Sequence, residues 1–100
     1  MATSYINESL TIGATSSNVS NDMGSLNLKR TSIIITNTSL GGQIISLAVG
    51  KEAEAGAGLV LYPGGSWEQT LNGSYLPPQQ KISAISSAAG GTISHYEEVL

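Results

Sequence analysis

The sequence lacks cysteine and has few charged residues, and both shortages limit what kind of protein it can be. Without cysteine, neither a disulfide framework nor a thiolate metal site can form. Charged residues make up 11% of the chain, whereas globular domains average about a quarter. A surface of Ser, Thr, Asn and Gln resists association weakly, because net and mixed charges keep proteins apart. The composition therefore predicts a protein that works while packed against other proteins.

Nucleic-acid binding, secretion and membrane insertion are not expected either. The net charge is −3, and the four basic residues include one adjacent pair, Lys29 and Arg30, whereas a phosphate-binding face needs several. The first residues have neither the basic nor the apolar region of a signal peptide. No apolar run approaches the ~18 residues of a membrane helix. We expect a protein made in the cytoplasm, with no nucleic-acid or membrane partner.

The residues available for catalysis and metal binding are also few. His95 is the one histidine and Asp22 the one aspartate, so a triad would have to combine a serine, His95 and a glutamate. Glu97 and Glu98 are adjacent and point to opposite faces of a strand, so they cannot act as a pair. No spacing of ligands fits zinc or calcium. We expect no enzyme, no metal and no cofactor, with His95 near the surface or at a subunit contact.

Short apolar runs between turn residues predict an all-β domain. The Gly-, Ser-, Thr- and Asn-rich background disfavours helices. This spacing, with tight turns, predicts an antiparallel β-sandwich or barrel of jelly-roll-like type. Six strands are expected, at residues 31–37, 43–49, 59–62, 66–71, 81–87 and 92–98.

The N-terminal part has a different composition, and we divide the chain into an arm, residues 1–27, and a β-sandwich domain, residues 28–100. Residues 8–12 alternate polar and apolar side chains, which is typical of a short strand, while residues 13–24 are typical of a loop. An extended arm could add this strand to the sheet edge of a partner. The alternatives are a first hairpin of the domain itself or a disordered terminus.

Six apolar or aromatic residues are candidates for partner contacts. The aromatic side chains can anchor an interface, stack on a sugar or fill the core, and the sequence leaves these alternatives open. Four candidates lie in the arm and two in the domain: Tyr5, Ile6, Leu10, Ile12, Trp67 and Tyr75.

From Arg30 onward the chain also carries an ordered series of short motifs. They are Arg30-x-x-Ile33-x-Ile35-x-Asn37-x-Ser39, Ile45-x-Leu47-Ala48-x-Gly50, Leu61-x-Pro63-Gly64-Gly65-x-Trp67, Ile82-x-Ala84-Ile85 and Ala89-Gly90-Gly91. This order resembles small virion-associated proteins of tailed phages, in particular capsid decoration or cement proteins and head-fibre modules. The resemblance covers about 70 of the 100 residues and excludes the N-terminal 30.

The resemblance implies a homo-oligomeric β-sandwich, a dimer or trimer, on the surface of a virion. Its partner would be the major capsid protein, and its role would be to bind the outer face of the shell and stabilise it. A carbohydrate- or receptor-binding head-fibre or tail module is the alternative, and an accessory domain of an enzyme is a further one.

Overall fold

The computed structural model describes residues 3–100, which form eight β-strands. No helix in this part of the chain has the length and hydrophobicity needed to cross a membrane. The strands are β1 (Ser4–Ile12), β2 (Ser17–Ser20), β3 (Arg30–Asn37), β4 (Ile45–Val49), β5 (Leu59–Leu61), β6 (Ser66–Thr70), β7 (Ile82–Ser86) and β8 (Gly91–Val99).

The strands form two antiparallel sheets of four strands each. Sheet A has the order β1-β8-β3-β6, and sheet B has the order β2-β7-β4-β5. This order is that of the eight-stranded jelly roll, which consists of two Greek keys folded into a double sheet. The prediction of an all-β, antiparallel, jelly-roll-like sandwich is therefore confirmed.

Alternation along the strands decides which side chains fill the space between the sheets. In β8 every second residue from Gly91 to Val99 is buried, and the residues between them are half-buried or exposed. In β3, Ile33 and Ile35 are fully buried and Ile34 is half-buried on the outer face. The inward aliphatic residues form one core: Ile12, Val19, Ile33, Ile35, Ile45, Leu47, Leu61, Ile82, Ala84 and Ile93.

Four of the connecting loops lie together at one end of the sandwich and contain no charged residue. We call this set the neutral end, and it comprises residues 13–16, 38–44, 62–65 and 87–90. Hydrogen bonds join these loops to one another and to the adjoining strand ends. The amide of Thr38 donates to the carbonyl of Thr92, and the Gln43 side chain donates to the carbonyl of Ala89 (3.0 and 3.1 Å).

The three remaining loops begin at the opposite end, which we call the charged end. One of them, residues 50–58, folds back over the outer face of sheet B, where the amide of Gly56 donates to Ser46 Oγ (2.9 Å). The charged end comprises residues 21–29, 50–58 and 71–81, and its charged residues are Asp22, Lys29, Lys51, Glu52, Glu54 and Lys81.

The turn between β5 and β6 shows how the sequence specifies the neutral end. Pro63 is suited to the second position of a turn because its φ is fixed near −65°. Gly64 follows with φ 85°, which a residue with a Cβ rarely adopts. The amide of Gly65 closes the turn on the carbonyl of Tyr62 at 2.8 Å. The chain therefore turns tightly between the predicted strands 59–62 and 66–71.

The N-terminal segment, which the sequence predicts as an arm, contributes one edge strand to each sheet. β1 pairs with β8 of the same chain along its whole length, from Ser4 opposite Val99 to Ile12 opposite Gly91. β2 lies in a segment expected to be a loop, and it pairs with β7. β1 belongs to the sandwich because Ile12 enters the core, where it is 1% exposed. Both strands lie at sheet edges, so each keeps one unpaired side.

Candidate functional site

A buried cluster of charged side chains joins both sheets close to the charged end. Arg30, at the start of β3, and Glu97, on β8, are both fully buried and form an ion pair with Nε 2.8 Å from Oε2. The backbone of Arg30 is held as well, since its amide donates to Gln79 Oε1 and its carbonyl accepts from Gln79 Nε2 (2.7 and 2.8 Å). The guanidinium also donates to Ser20 Oγ (2.6 Å) and to the carbonyls of Asn21, Pro78 and Gln80.

His95 continues this cluster toward the edge strand β1. Its Nε2 lies 2.6 Å from Glu97 Oε1 and its Nδ1 lies 2.8 Å from Glu8 Oε2, so carboxylates engage both ring nitrogens. The histidine is 2% exposed, while the Glu8 side chain is 40% exposed. The sequence predicts a position near the surface or at a subunit contact. In the structure His95 is buried, and it connects β1 to the interior of the sandwich.

The electrostatics of the cluster favour a protonated histidine between two carboxylates. Burial lowers the pKa of His95, but hydrogen bonds to Glu97 and Glu8 outweigh burial and leave the pKa above its ordinary value. Burial raises the pKa of Glu97, and hydrogen bonds from His95 and Arg30 outweigh it and leave that pKa below its ordinary value. Each group thus stabilises the charged form of the other.

The geometry of the cluster suits a structural role better than a chemical one. Neither ring nitrogen of His95 is free to accept a proton from a substrate, because both are engaged. Glu8 and Glu97 lie against different nitrogens of the ring, and no three acidic or histidine side chains within residues 3–100 form a group that could hold a metal ion. No buried side-chain nitrogen or oxygen in this range lacks a hydrogen-bond partner.

A groove of about 540 Å³ opens beside the edge strands β5 and β6, and we call it the aromatic groove. Trp67 and Tyr75, two of the predicted contact residues, both line it. Trp67 is half-buried and also packs against the core, whereas Tyr75 is 47% exposed and donates a hydrogen bond to Gln69. The groove wall is apolar, with Leu47, Val49 and Leu59 beside these residues. Charged side chains of the loop 50–58 also line the groove.

A second groove of about 540 Å³ lies at the opposite edge, beside β1 and the loop 21–29. We call it the terminal groove, because Leu100 lines it. Its titratable lining groups are Glu8 and His95, which are paired with each other. Its apolar lining includes Ile6, Val19, Met23, Leu26, Leu28 and Leu100.

The four predicted contact residues of β1 have different environments. Tyr5 is 62% exposed, and Ile6 lines the terminal groove. Leu10 is half-buried against the core, and Ile12 is a core residue with no surface to offer a partner. The accessible apolar surface of this strand is therefore at its beginning, next to the charged end.

Comparison with known proteins shows similarity of fold alone. No protein-family model matches the sequence, and no curated protein matches it either. The structure is similar to a chain from Bacillus endospore appendages, which are disulfide-linked pili, with a TM-score of 0.61 and 17% identity over 98% of this chain and 84% of that one. It is also similar to the coat protein dimer of Tobacco streak virus, with a TM-score of 0.50 and 9% identity over 97% and 84%.

Proposed function

We propose that this chain is a structural subunit that works by assembly into a larger protein structure. The narrower form of the proposal is a decoration or cement protein, which binds the outer surface of a major capsid shell and stabilises it. The surface of the molecule supports the assembly role. The resemblance to virion-associated proteins supports the decoration role.

The neutral end is the observation that carries the proposal. Its four adjoining loops contain no charged residue, yet they display Leu40 at 101% exposure and Tyr62 at 65%. Charged groups normally keep protein surfaces apart, and large exposed apolar side chains favour association. A whole end of the molecule without charge is thus a surface that a partner can cover without desolvating a charged group.

The fold comparisons agree with this proposal without identifying the partner. Chains of similar structure come from a virus coat protein and from endospore appendages that are pili. The appendage is disulfide-linked, but this sequence has no cysteine, so these residues cannot form such disulfide links. Symmetric repetition can make many weak contacts strong in total.

In the decoration role, each copy contacts the major capsid protein and neighbouring copies as a dimer or trimer. The free side of β1, with Tyr5 exposed and Ile6 in the terminal groove, is the place where the predicted N-terminal contact can form. An unpaired edge strand accepts main-chain hydrogen bonds from a partner strand.

Sedimentation and electron microscopy test both parts of the proposal. We expect the purified chain to form oligomers, or to co-sediment with shells of the major capsid protein from the same genome and raise their melting temperature. A chain that stays monomeric and binds no shell would contradict both parts. A genome without a major capsid protein would contradict only the decoration role.

The aromatic groove favours a second candidate, a carbohydrate-binding head-fibre or tail module. Trp67 is the only tryptophan in the chain, so its fluorescence directly reports ligands in this groove. We expect sugar binding, if this is the function, to change that fluorescence and to be lost in Tyr75→Ala. The matched control is Tyr62→Ala, which removes an exposed tyrosine at the neutral end. A glycan panel that leaves the emission unchanged would remove this candidate.

A further inference from the structure

The loop 38–44 presents one leucine entirely to solvent while its own backbone is held in place. Leu40 is 101% exposed. On one side, the amide of Ser39 donates to Asn37 Oδ1 at 2.9 Å. On the other side, the amide of Gly41 donates to Gln43 Oε1 at 3.0 Å. A protruding apolar side chain on an anchored loop loses little conformational entropy when it docks.

The terminal groove, near the other end of β3, is apolar and also held by backbone hydrogen bonds. The amide of Leu28 donates to the carbonyl of Met23 at 2.9 Å, which closes the turn that forms one wall. Lys29 and Leu100 exchange two backbone hydrogen bonds, of 3.0 and 2.7 Å, which fix the other wall. Leu28 is 43% exposed, so apolar surface is open to a partner.

We propose that Leu40 of one copy docks into the terminal groove of a second copy, so that the chains associate head to tail. This inference rests on the proposed role as an assembled subunit and names the surfaces that the role would use. The molecule is 40 Å long and 22 by 20 Å across, so successive copies would add along an axis. A head-to-tail contact is heterologous and gives a filament or a ring.

Electrostatics favour a second copy as the occupant of the groove. The loop 38–44 contains no charged residue, so its docking desolvates no charge on that side. The titratable groups in the groove lining, Glu8 and His95, are already paired with each other at 2.8 Å. The contact therefore buries no unpaired side-chain charge, and an unpaired charge is costly to bury. At about 540 Å³, the groove has room for Leu40 together with its flanking small residues.

Engineered disulfides test this contact directly, because the chain has no cysteine of its own. Leu40→Cys and Leu28→Cys are made separately, mixed under oxidising conditions and compared on a non-reducing gel. We expect a mixed dimer from the two variants and a ladder of polymers from the double variant. The matched control is Leu71→Cys, a 40% exposed leucine of the loop 71–81 that does not line the terminal groove.

A second variant separates this inference from the proposed function. We expect Leu40→Asp to weaken self-association at least tenfold in sedimentation, with an unchanged melting temperature, and Leu40→Met to retain it. Equal disulfide yields with Leu28→Cys and Leu71→Cys, or no mixed dimer at all, would overturn the head-to-tail contact. Assembly that survives Leu40→Asp would overturn it too, and would leave the proposed role intact. A wild-type chain that neither self-associates nor binds a shell would overturn both.

Discussion

The two ends of β3 fix the two ends of the molecule by different chemistry. At the charged end, Arg30 is fully buried and holds Glu97, Ser20 and three backbone carbonyls with a charged group. At the neutral end, Asn37 is equally buried and uses only a neutral amide. Its Nδ2 donates to the carbonyls of Gln43 and Leu61 at 2.9 and 2.8 Å, and its Oδ1 accepts from the amide of Ser39.

The buried residue at each end has the same charge character as the surface above it: neutral Asn37 lies under the neutral end, and charged Arg30 lies under the charged end. Asn37 organises loops that contain no charge, so the end that we propose as a contact surface is neutral inside and outside. Arg30 places a charge where burial is costly unless every partner is present. The charged end therefore depends on groups from β2, from β8 and from the loop 71–81. We expect it to be more sensitive to mutation and to pH than the neutral end.

Deletion of residues 1–27 is the strongest test of this dependence. It removes β1 and β2, and with them Ile12 and Val19 of the core and Ser20 of the Arg30 cluster. We expect the truncated chain to be unfolded, with a collapsed circular dichroism signal and poor dispersion in NMR spectra. The control is a deletion of residues 1–3, which precede β1. A folded truncated domain would mean that the segment is an arm after all.

The strands differ in how well the sequence predicts them. The six predicted strands from residue 31 onward are present, because short apolar runs between Gly and Pro turns are a local signal. β2 escaped prediction because Val19 is its one apolar residue. The partner of β1 is β8, and paired residues such as Ile12 and Gly91 or Ser4 and Val99 are 79 to 95 positions apart along the chain. Alternation within a strand does not indicate which strand it pairs with.

The Arg30 cluster was missed for a related reason. His95 and Glu97 are spaced two residues apart from each other and from Ile93 and Val99, so all four lie on one face of β8. Charged residues are seldom fully buried unless they are paired, and the partner, Arg30, lies 67 positions away. The alternation was therefore the available signal that both side chains point into the core.

Replacement of Arg30 is expected to have the next largest effect. Arg30→Met leaves the buried Glu97 carboxylate without its ion pair and several carbonyls without donors, which costs about 3–5 kcal/mol of unfolding free energy. The matched control is the double variant Arg30→Met/Glu97→Leu, which removes both charges and should recover part of the loss. Urea denaturation measures both. A double variant no more stable than the single one would show that the remaining contacts of the two residues dominate, namely the carbonyls on Arg30 and the His95 ring on Glu97, and not the charge pair.

Asn37→Ala tests the neutral end and should cost less. It removes the donors to the carbonyls of Gln43 and Leu61, with an expected loss of about 1–3 kcal/mol. No titrating group is involved, so we expect the same loss at every pH where the protein is folded. Asn18→Ala, which changes an exposed asparagine, is the control and should stay within about 0.5 kcal/mol of the wild type. A loss of stability that varied with pH would contradict this prediction, because it would mean that a titrating group contributes at the neutral end too.

The smallest effect is expected from Glu8→Gln, which changes the pH dependence of the charged end. Because the pKa of His95 is raised above 6.5, its stabilisation is complete below that pH and is lost as the pH rises through the folded-state value. The partly exposed Glu8 supplies part of the attraction, about 0–1 kcal/mol for a pair of this exposure. We expect Glu8→Gln to be less stable than the wild type near pH 6. The difference should shrink as the pH rises above the His95 pKa of both proteins, where the ring is neutral.

Melting temperatures measured across that pH range, together with the NMR titration of His95, would check this prediction. Glu68→Gln is the matched control, because Glu68 is an exposed carboxylate on the outer face of β6. If Glu8 holds the edge strand through His95, only Glu8→Gln should lower the pKa of the histidine and move the alkaline loss of stability to lower pH. An unchanged His95 titration in Glu8→Gln would mean that Glu97 alone sets the pKa. β1 would then be held by its backbone ladder and Ile12, and the pH dependence would be confined to the interior of the sandwich.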